Sequence, residues 1–310
     1  MKLTIGRFRI PVGIIMVIGI IAISFSAIFV RWSDAPAGVI AMHRLYMTNL
    51  LLLPFLGKHI HDLRKISRKD LLLLMISGLF LGLHFLYWMN SLRLTTVASS
   101  TAILSLEPVL VMAGSYWVFK HQPSRGAVLS MTAAIFGAVL IGWGDYSLSK
   151  RALQGDLLSL LGAAAVAVHM MLGKSLRERV SSFLYNFIVF FMAASVLAVY
   201  NVLQGSVIWH YGMKDWGVFA LLAIVPTIFG HYLFNWLLKY VPATSVSAMV
   251  LGEPVGATIL AYLLLKESVT FVQVIAGALL IIGVWLFIRY NREQSAESAP
   301  SSALDSALAE

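Results

Sequence analysis

His84–Pro108 reads HFLYWMNSLRLTTVASSTAILSLEP, and His231–Pro254 reads HYLFNWLLKYVPATSVSAMVLGEP. Each stretch starts with a histidine inside an apolar run, passes a short turn, re-enters an apolar run and meets a Glu-Pro pair. Glu107 and Glu253 lie 146 positions apart, and His84 and His231 lie 147 apart. These are therefore two copies of one hairpin, with one residue gained or lost between them. A carboxylate held in an apolar medium is costly unless something compensates it. A chain that carries the same costly pair twice is expected to use it.

The 146-residue offset extends beyond the hairpin. Ser99–Pro108 aligns with Ser245–Pro254, Lys120 with Lys266, and Arg31 with Arg177. Around these anchors the chain is apolar almost throughout. Soluble domains carry about 25% charged residues, whereas these 310 residues carry 12%, with 59% hydrophobic residues and a mean hydropathy of +0.85. That much apolar surface cannot be hidden in water, so the lipid bilayer is the expected solvent. Stretches of about 20 apolar residues, enough to cross a ~30 Å hydrocarbon core, fall near 10–30, 37–56, 71–92, 97–119, 125–143, 156–174, 183–203, 216–238, 243–265 and 272–290. The expected fold is an all-α polytopic membrane protein of ten transmembrane helices. The run from Ile10 to Val30 is long for a signal-peptide core and reads as a retained first span. Residues 291–310 are small and polar and read as a disordered tail.

Basic residues orient the chain. With the N-terminus in the cytoplasm, sixteen Lys and Arg fall in cytoplasmic segments and six on the other side, with Arg44 left inside the second span. Both termini are therefore expected on the cytoplasmic face of the plasma (inner) membrane. This distribution accounts for the net charge of +9 without a nucleic-acid partner. With no cysteine in the chain, disulfides, thiolate metal sites and thiol nucleophiles are excluded.

Five spans per copy is an odd number, so the second copy enters the membrane upside down relative to the first. The expected domains are two inverted five-helix repeats, 10–143 and 156–290. Inverted repeats are a construction of secondary transporters, which place the cargo site near midplane between the halves. Ten spans, two five-helix halves and a Glu-Pro in the fourth span of each resemble the EamA-type family of the drug/metabolite transporter superfamily. The resemblance covers about residues 10–290. It implies export of small metabolites, often amino acids or related compounds, across the inner membrane. In that family each half often ends its fourth span in Gly-Glu; Lys266-Glu267 matches loosely, and His121 departs from the pattern.

The helical rise places Glu107 about eleven residues, or ~16 Å, down the fourth span, with His84 at similar depth on the third. The same count pairs His231 with Glu253. These four are expected to line a central cavity, where they hydrogen-bond a small-molecule substrate or carry protons; pairing across each hairpin is the structural alternative. Of the two residue types, the carboxylates are the expected proton carriers. Around the histidines lie Tyr87, Trp88 and Asn90 in one copy and Asn235 and Trp236 in the other. Aromatic rings with a few amides suit an amphipathic organic ligand, although rings also serve as packing and interface anchors. Ser99 and Thr101, with Ser245 and Ser247 in the copy, read as small residues for close helix packing. Pro108, Pro226 and Pro254 are expected helix kinks. Arg44 is expected to snorkel to the outer interface, with capture of a substrate carboxylate as the sharper alternative. His169 and Asn49 are expected to make helix–helix hydrogen bonds.

A membrane-embedded enzyme and a non-transporting structural protein are the alternatives. The chain has no HExxH, no Walker loop and no loop large enough for a soluble active site, so neither catalysis, nor a metal or other cofactor, nor direct ATP drive is expected. Two fused halves already enclose a pathway, so a functional monomer is expected.

Overall fold

The computed structural model describes residues 2–5, 8–119, 125–237 and 250–297. A short antiparallel hairpin, Lys2–Ile5 with Phe8–Pro11, opens the chain. Every other regular element is helical: α1 (Val12–Trp32), α2 (Ala37–Leu52), α3 (Arg68–Ser91), α4 (Val97–Leu104), α5 (Glu107–Phe119) and α6 (Arg125–Leu148). Then come α7 (Lys150–Arg177), α8 (Ser182–Leu203), α9 (Met213–Leu237), α10 (Gly252–Leu265) and α11 (Phe271–Glu297). Among the described residues, six helical stretches are long and apolar enough to cross a membrane: Gly13–Trp32, Ala37–Leu63, Arg68–Ser91, Lys150–Arg177, Ser182–Leu203 and Met213–Leu237. Four shorter apolar stretches accompany them among the described residues: Val97–Val111, which takes in α4 and the start of α5, Val128–Ile141, Gly252–Leu265 and Phe271–Phe287. Large apolar side chains stand exposed around the outside, among them Leu50, Leu129, Trp143 and Tyr262, which is the surface lipid requires.

Hydroxyl caps start the helices where the sequence switches from polar to apolar. Ser67 accepts from the Asp70 amide at α3, Thr96 from Ser99 at α4, Ser149 from Arg151 and Ala152 at α7, and Ser181 from Leu184 at α8. Thr270 and Gln273 form a reciprocal capping box at α11, with bonds of 3.0 and 3.2 Å.

Three features differ from the sequence expectation. The fourth span is not one helix: a tight turn at Ser105 and Leu106 divides α4 from α5, and Pro108 sits in the first turn of α5, where its missing N–H costs nothing. Pro226 does not simply kink its span but lies in a π-helical segment, Ala223–Tyr232. Proline supplies no N–H to the Leu222 carbonyl one turn back, and the Thr227 hydroxyl donates to that oxygen instead at 2.7 Å. Finally, α11 continues past Tyr290 to Glu297, while 298–310, Ser245, Ser247 and His121 lie outside the described residues.

Helix α1 packs on α9 and α10, and α7 packs on α3, α4 and α5. Between these lie α2 against α8, α4 against α10, and α6 against α11. The last pair is close: a Cβ on Gly137 would lie 2.7 Å from the Leu280 amide, and one on Gly283 would lie 2.6 Å from that of Ala134.

The bundle has two unlike ends. At the end bearing the α1–α2 turn, polar groups close the surface. Arg93 donates to the carbonyls of Ser33 and Ala35, Ser33 donates to Asp215 at 2.6 Å, and Lys214 pairs with Asp34 at 2.8 Å. Lys214 holds the Asp34 carboxyl below its usual range. Arg31 donates to the Leu92 carbonyl and to Glu267, both at 2.5 Å. The other end holds a wide cavity of about 870 Å³ between the α2–α3 connection and the α7–α8 turn. An Arg179–Asp70 ion pair of 3.0 Å lies within its wall.

Candidate functional site

A second cavity, narrow at about 70 Å³, lies in the interior. His84 and Trp88 of α3, Glu107 at the start of α5, His231 and Asn235 of α9, and Glu253 and Pro254 of α10 all line it. Thr101, Ser105 and His169 add polar groups, and Ile23, Val166 and Phe234 add apolar ones. Six of the nine side chains singled out in the sequence are thus brought together. Tyr87 and Asn90 are not in this lining; the Asn90 amide donates back to the Leu86 carbonyl at 2.8 Å. Trp236 lines the wide cavity, along with Tyr232. Residues 231, 234 and 235 therefore face one cavity and 232 and 236 the other, as helical spacing requires, so α9 forms the wall between them.

Each polar group is held by its own element. His84 Nδ1 is 3.0 Å from the Gly162 carbonyl. A carbonyl only accepts, so Nδ1 carries the proton and the neutral ring keeps Nε2 as an acceptor. α7 passes close to Trp88 here, and a Cβ on Gly162 would meet it at an ordinary contact distance of 3.4 Å. The Trp88 ring lies parallel to that of His84, 6.1 Å away. Asn235 donates to Asn186 at 2.8 Å, and the Asn235 carbonyl accepts from Arg177. His169 Nδ1 is 2.9 Å from the Ser77 hydroxyl, a helix–helix contact as expected. Asn49 instead donates to Leu45 of its own helix. Ser99 belongs to the α4 cap and receives a bond from Gln273 at 2.9 Å.

The turn at Ser105–Leu106 puts Glu107 at a helix start rather than in mid-helix, where exposed amides and the helix dipole favour an acidic group. Trp88 Nε1 and Glu107 Oε1 are both buried without a hydrogen-bond partner among the described residues. The cavity thus offers one unused donor and one unused acceptor. Groups such as these have their requirements met by water or by a ligand.

Arg44 does not snorkel. Its side chain is fully buried, 0% exposed, with Nε donating to Thr227 at 2.6 Å and Nη1 to Ser26 at 3.2 Å. The guanidinium lies 4.3 Å over the Phe85 ring and within electrostatic reach of His84, His231 and Glu253. Sequence position alone could not reveal this, because the acceptor that holds Arg44 is created by the π-helical segment around Pro226.

Comparison with known proteins now bears on the arrangement. The model of the EamA-like transporter family matches residues 11–143 and again 153–289. The chain belongs to that family. An uncharacterized transporter of Archaeoglobus fulgidus is 24% identical over 258 residues, covering 83% of this chain and 89% of the relative. The uncharacterized transporter YetK of Bacillus subtilis is 23% identical, with 76% and 73% covered. A protein of Escherichia coli named a biotin transporter is 24% identical, with 86% and 89% covered. A crystal structure covering 88% of this chain and 94% of its own superposes with a TM-score of 0.61 at 18% identity, a likeness of fold. Together with its apolar helices, this EamA family membership makes the chain a multi-pass membrane transporter, not an enzyme.

Proposed function

We propose that this EamA transporter exports small metabolites, amino acids or related amphipathic compounds, across the inner membrane by alternating access. The observation that carries the reading is the narrow cavity, where titratable and amide side chains from both family-model segments converge and leave buried polar atoms unused. At about 70 Å³ the cavity accommodates a few waters, below the 300–1,000 Å³ usual for ligand pockets. Cargo therefore enters only when helices move apart.

The chain acts as ten spans in two inverted five-helix repeats, 10–143 and 156–290. Several observations support this. The family model matches twice. Exchanging α1–α6 for α7–α11 in order turns the α1–α9 contact into α7–α3 and the α1–α10 contact into that of α7 with α4 and α5; it maps α2–α8, α4–α10 and α6–α11 onto themselves. This exchange pattern supports a two-fold relation between the halves, and inverted repeats put such an axis in the membrane plane. Arg31 and Arg177 play matching parts, each donating to a carbonyl near the end of the third span in its own half.

The bias of basic residues supports a cytoplasmic location for both termini and for the wide cavity. Cargo enters the wide cavity, passes the α9 wall, and leaves once the opposite seal opens. Protons are a candidate partner through Glu107 and Glu253. Three experiments test this reading. Cells overproducing the chain are expected to resist toxic amino-acid analogues; unchanged sensitivity across a broad panel refutes the export reading. Glu107→Gln and Glu253→Gln are expected to alter the pH dependence of export, and unchanged transport at every pH removes both from the mechanism. Uptake into inside-out vesicles with and without a proton gradient separates coupled export from facilitated diffusion.

A further inference from the structure

We infer that Arg44 is the anion-recognition group of this transporter and that its cargo carries a single carboxylate. The inference rests on the transport reading above and narrows it. Arg44 is fully buried, and its Nη2 has no hydrogen-bond partner among the described residues. No carboxylate lies within ion-pair distance of it there. A buried cation left this way is among the costlier arrangements a membrane protein can hold.

Packing does not require that cost. By the 146-residue offset, the counterpart of Arg44 is Phe190, which is also fully buried. The fold therefore accepts an apolar side chain at this place in a helix, and the charge in the first half calls for another reason. The guanidinium is also firmly aimed. Thr227 and Ser26 hold Nε and one N–H of Nη1, Phe85 covers one face, and Nη2 has no partner among the described residues. The Phe85 ring against which the guanidinium lies touches both cavity histidines, with ring centroids 4.9 Å from His84 and 5.4 Å from His231.

The neighbours define which anion fits. Nη2 and the second N–H of Nη1 present the parallel pair of donors that a carboxylate accepts; a phosphate accepts the same pair, so the neighbouring charges choose between them. Glu107 and Glu253 nearby repel a second negative charge. The unused Glu107 oxygen accepts from a donor on the same cargo, which an ammonium supplies. Widening of the narrow cavity, which a cargo needs in any case, brings the carboxylate to Nη2.

The test uses the full chain in lipid nanodiscs and matched pairs of probes: leucine and leucinamide, phenylalanine and phenylalaninamide, biotin and its carboxamide. Binding is read as a shift in unfolding temperature and by tryptophan fluorescence. In the wild type at least one acid is expected to bind about tenfold or more tightly than its amide, the scale for losing one partner of a buried charged contact. Arg44→Gln is expected to reduce that preference to within about twofold, and Arg44→Lys to retain part of it. The double variant Arg44→Gln/Glu253→Gln guards against a role for Arg44 as mere counter-ion to Glu253. If the double variant regains the preference for acids, the assignment is overturned. It is equally overturned if the wild type binds amides as well as acids, or if the preference survives in Arg44→Gln. Should vesicles move amides as fast as acids, transport stands and the carboxylate requirement falls. Should no probe bind or move, both fall.

Discussion

Glu267 joins three separate parts of the sealed end with one carboxylate. Its Oε1 accepts from Arg31 at the end of α1 at 2.5 Å, and its Oε2 accepts from the Val97 amide at the start of α4 at 3.0 Å. Glu267 itself lies in the α10–α11 turn, just after Lys266, whose left-handed φ of 56° shapes that turn. Glu267→Gln keeps the shape and one acceptor but removes the charge. A hydrogen bond to a charged group contributes about 1.5–3 kcal/mol. The Arg31 side chain is 32% exposed and Glu267 14%, so screening reduces the pair to about 1–2 kcal/mol. If these contacts exist only while this end is shut, losing them raises the population open at this end about 5–30-fold. The chain has no cysteine, which makes the assay direct. Ser105→Cys places one thiol in the narrow cavity, and a membrane-impermeant maleimide is applied to right-side-out and inside-out vesicles separately. Adding Glu267→Gln is expected to speed labelling from the sealed side by that factor and not from the other. An increase below twofold, or an equal increase from both sides, refutes the reasoning.

Three further outcomes follow from the geometry. Gly137→Ala drives a Cβ to 2.7 and 2.8 Å from backbone atoms of Leu280 and Ala276; overpacking of about 1–3 kcal/mol is expected to lower the unfolding temperature, whereas Gly162→Ala, whose Cβ meets Trp88 at 3.4 Å, is expected to leave it nearly unchanged. Thr227→Val removes both the donor to Leu222 and the acceptor for Arg44, and a loss of about 1–3 kcal/mol in detergent unfolding is expected, with Thr227→Ser retaining most of the stability. Asp34→Asn is expected to change nothing measurable at neutral pH, because Asp34 and Lys214 are both largely exposed. Since Lys214 holds the Asp34 carboxyl below its usual range, whatever the pair contributes is present above the ordinary carboxylate pKa and fades only as pH falls through the lowered one; a midpoint that drops on Asp34→Asn at pH 7 contradicts this.

Much of the fold could be read from the chain because lipid imposes a length rule on apolar runs and because duplication repeats the anchors. His84, Glu107, His231 and Glu253 meet in one cavity, as equal depth along the hairpins suggested. What could not be read depends on who lies beside whom. Arg44 sits about seven residues into its span, a position from which an isolated helix sends arginine to the interface. In the bundle, α2 lies against the π-helical part of α9, and Thr227 offers an acceptor that no single-helix argument contains. The turn inside the fourth span was hidden for a similar reason. A Glu-Pro pair reads as a kink, and only the bonds around Ser105 and Leu106 make it a division between two helices.

The differences between the two copies bear on function more directly than their likeness. A perfectly duplicated chain would seal its two ends equally well and favour neither. Here the sealed end has a carboxylate, Glu267, for the arginine that closes α1. The counterpart of Glu267 is position 121, a histidine, and the bonds of the counterpart arginine, Arg177, include those to the Asn235 and Val180 carbonyls and the Ser182 hydroxyl. A guanidinium bonded to a carboxylate is held strongly, and the first half has no carboxylate at the position that matches Glu267. The structure agrees in shape, with about 870 Å³ open at the end served by Arg177 and a closed polar layer at the other. Arg44 opposite Phe190, and Pro226 opposite Leu79, add inequality at the centre. On the alternating-access proposal, a carrier built this way rests with the end lacking that carboxylate open, and cargo entering there would have to contribute enough binding free energy to move the equilibrium toward release of the other seal.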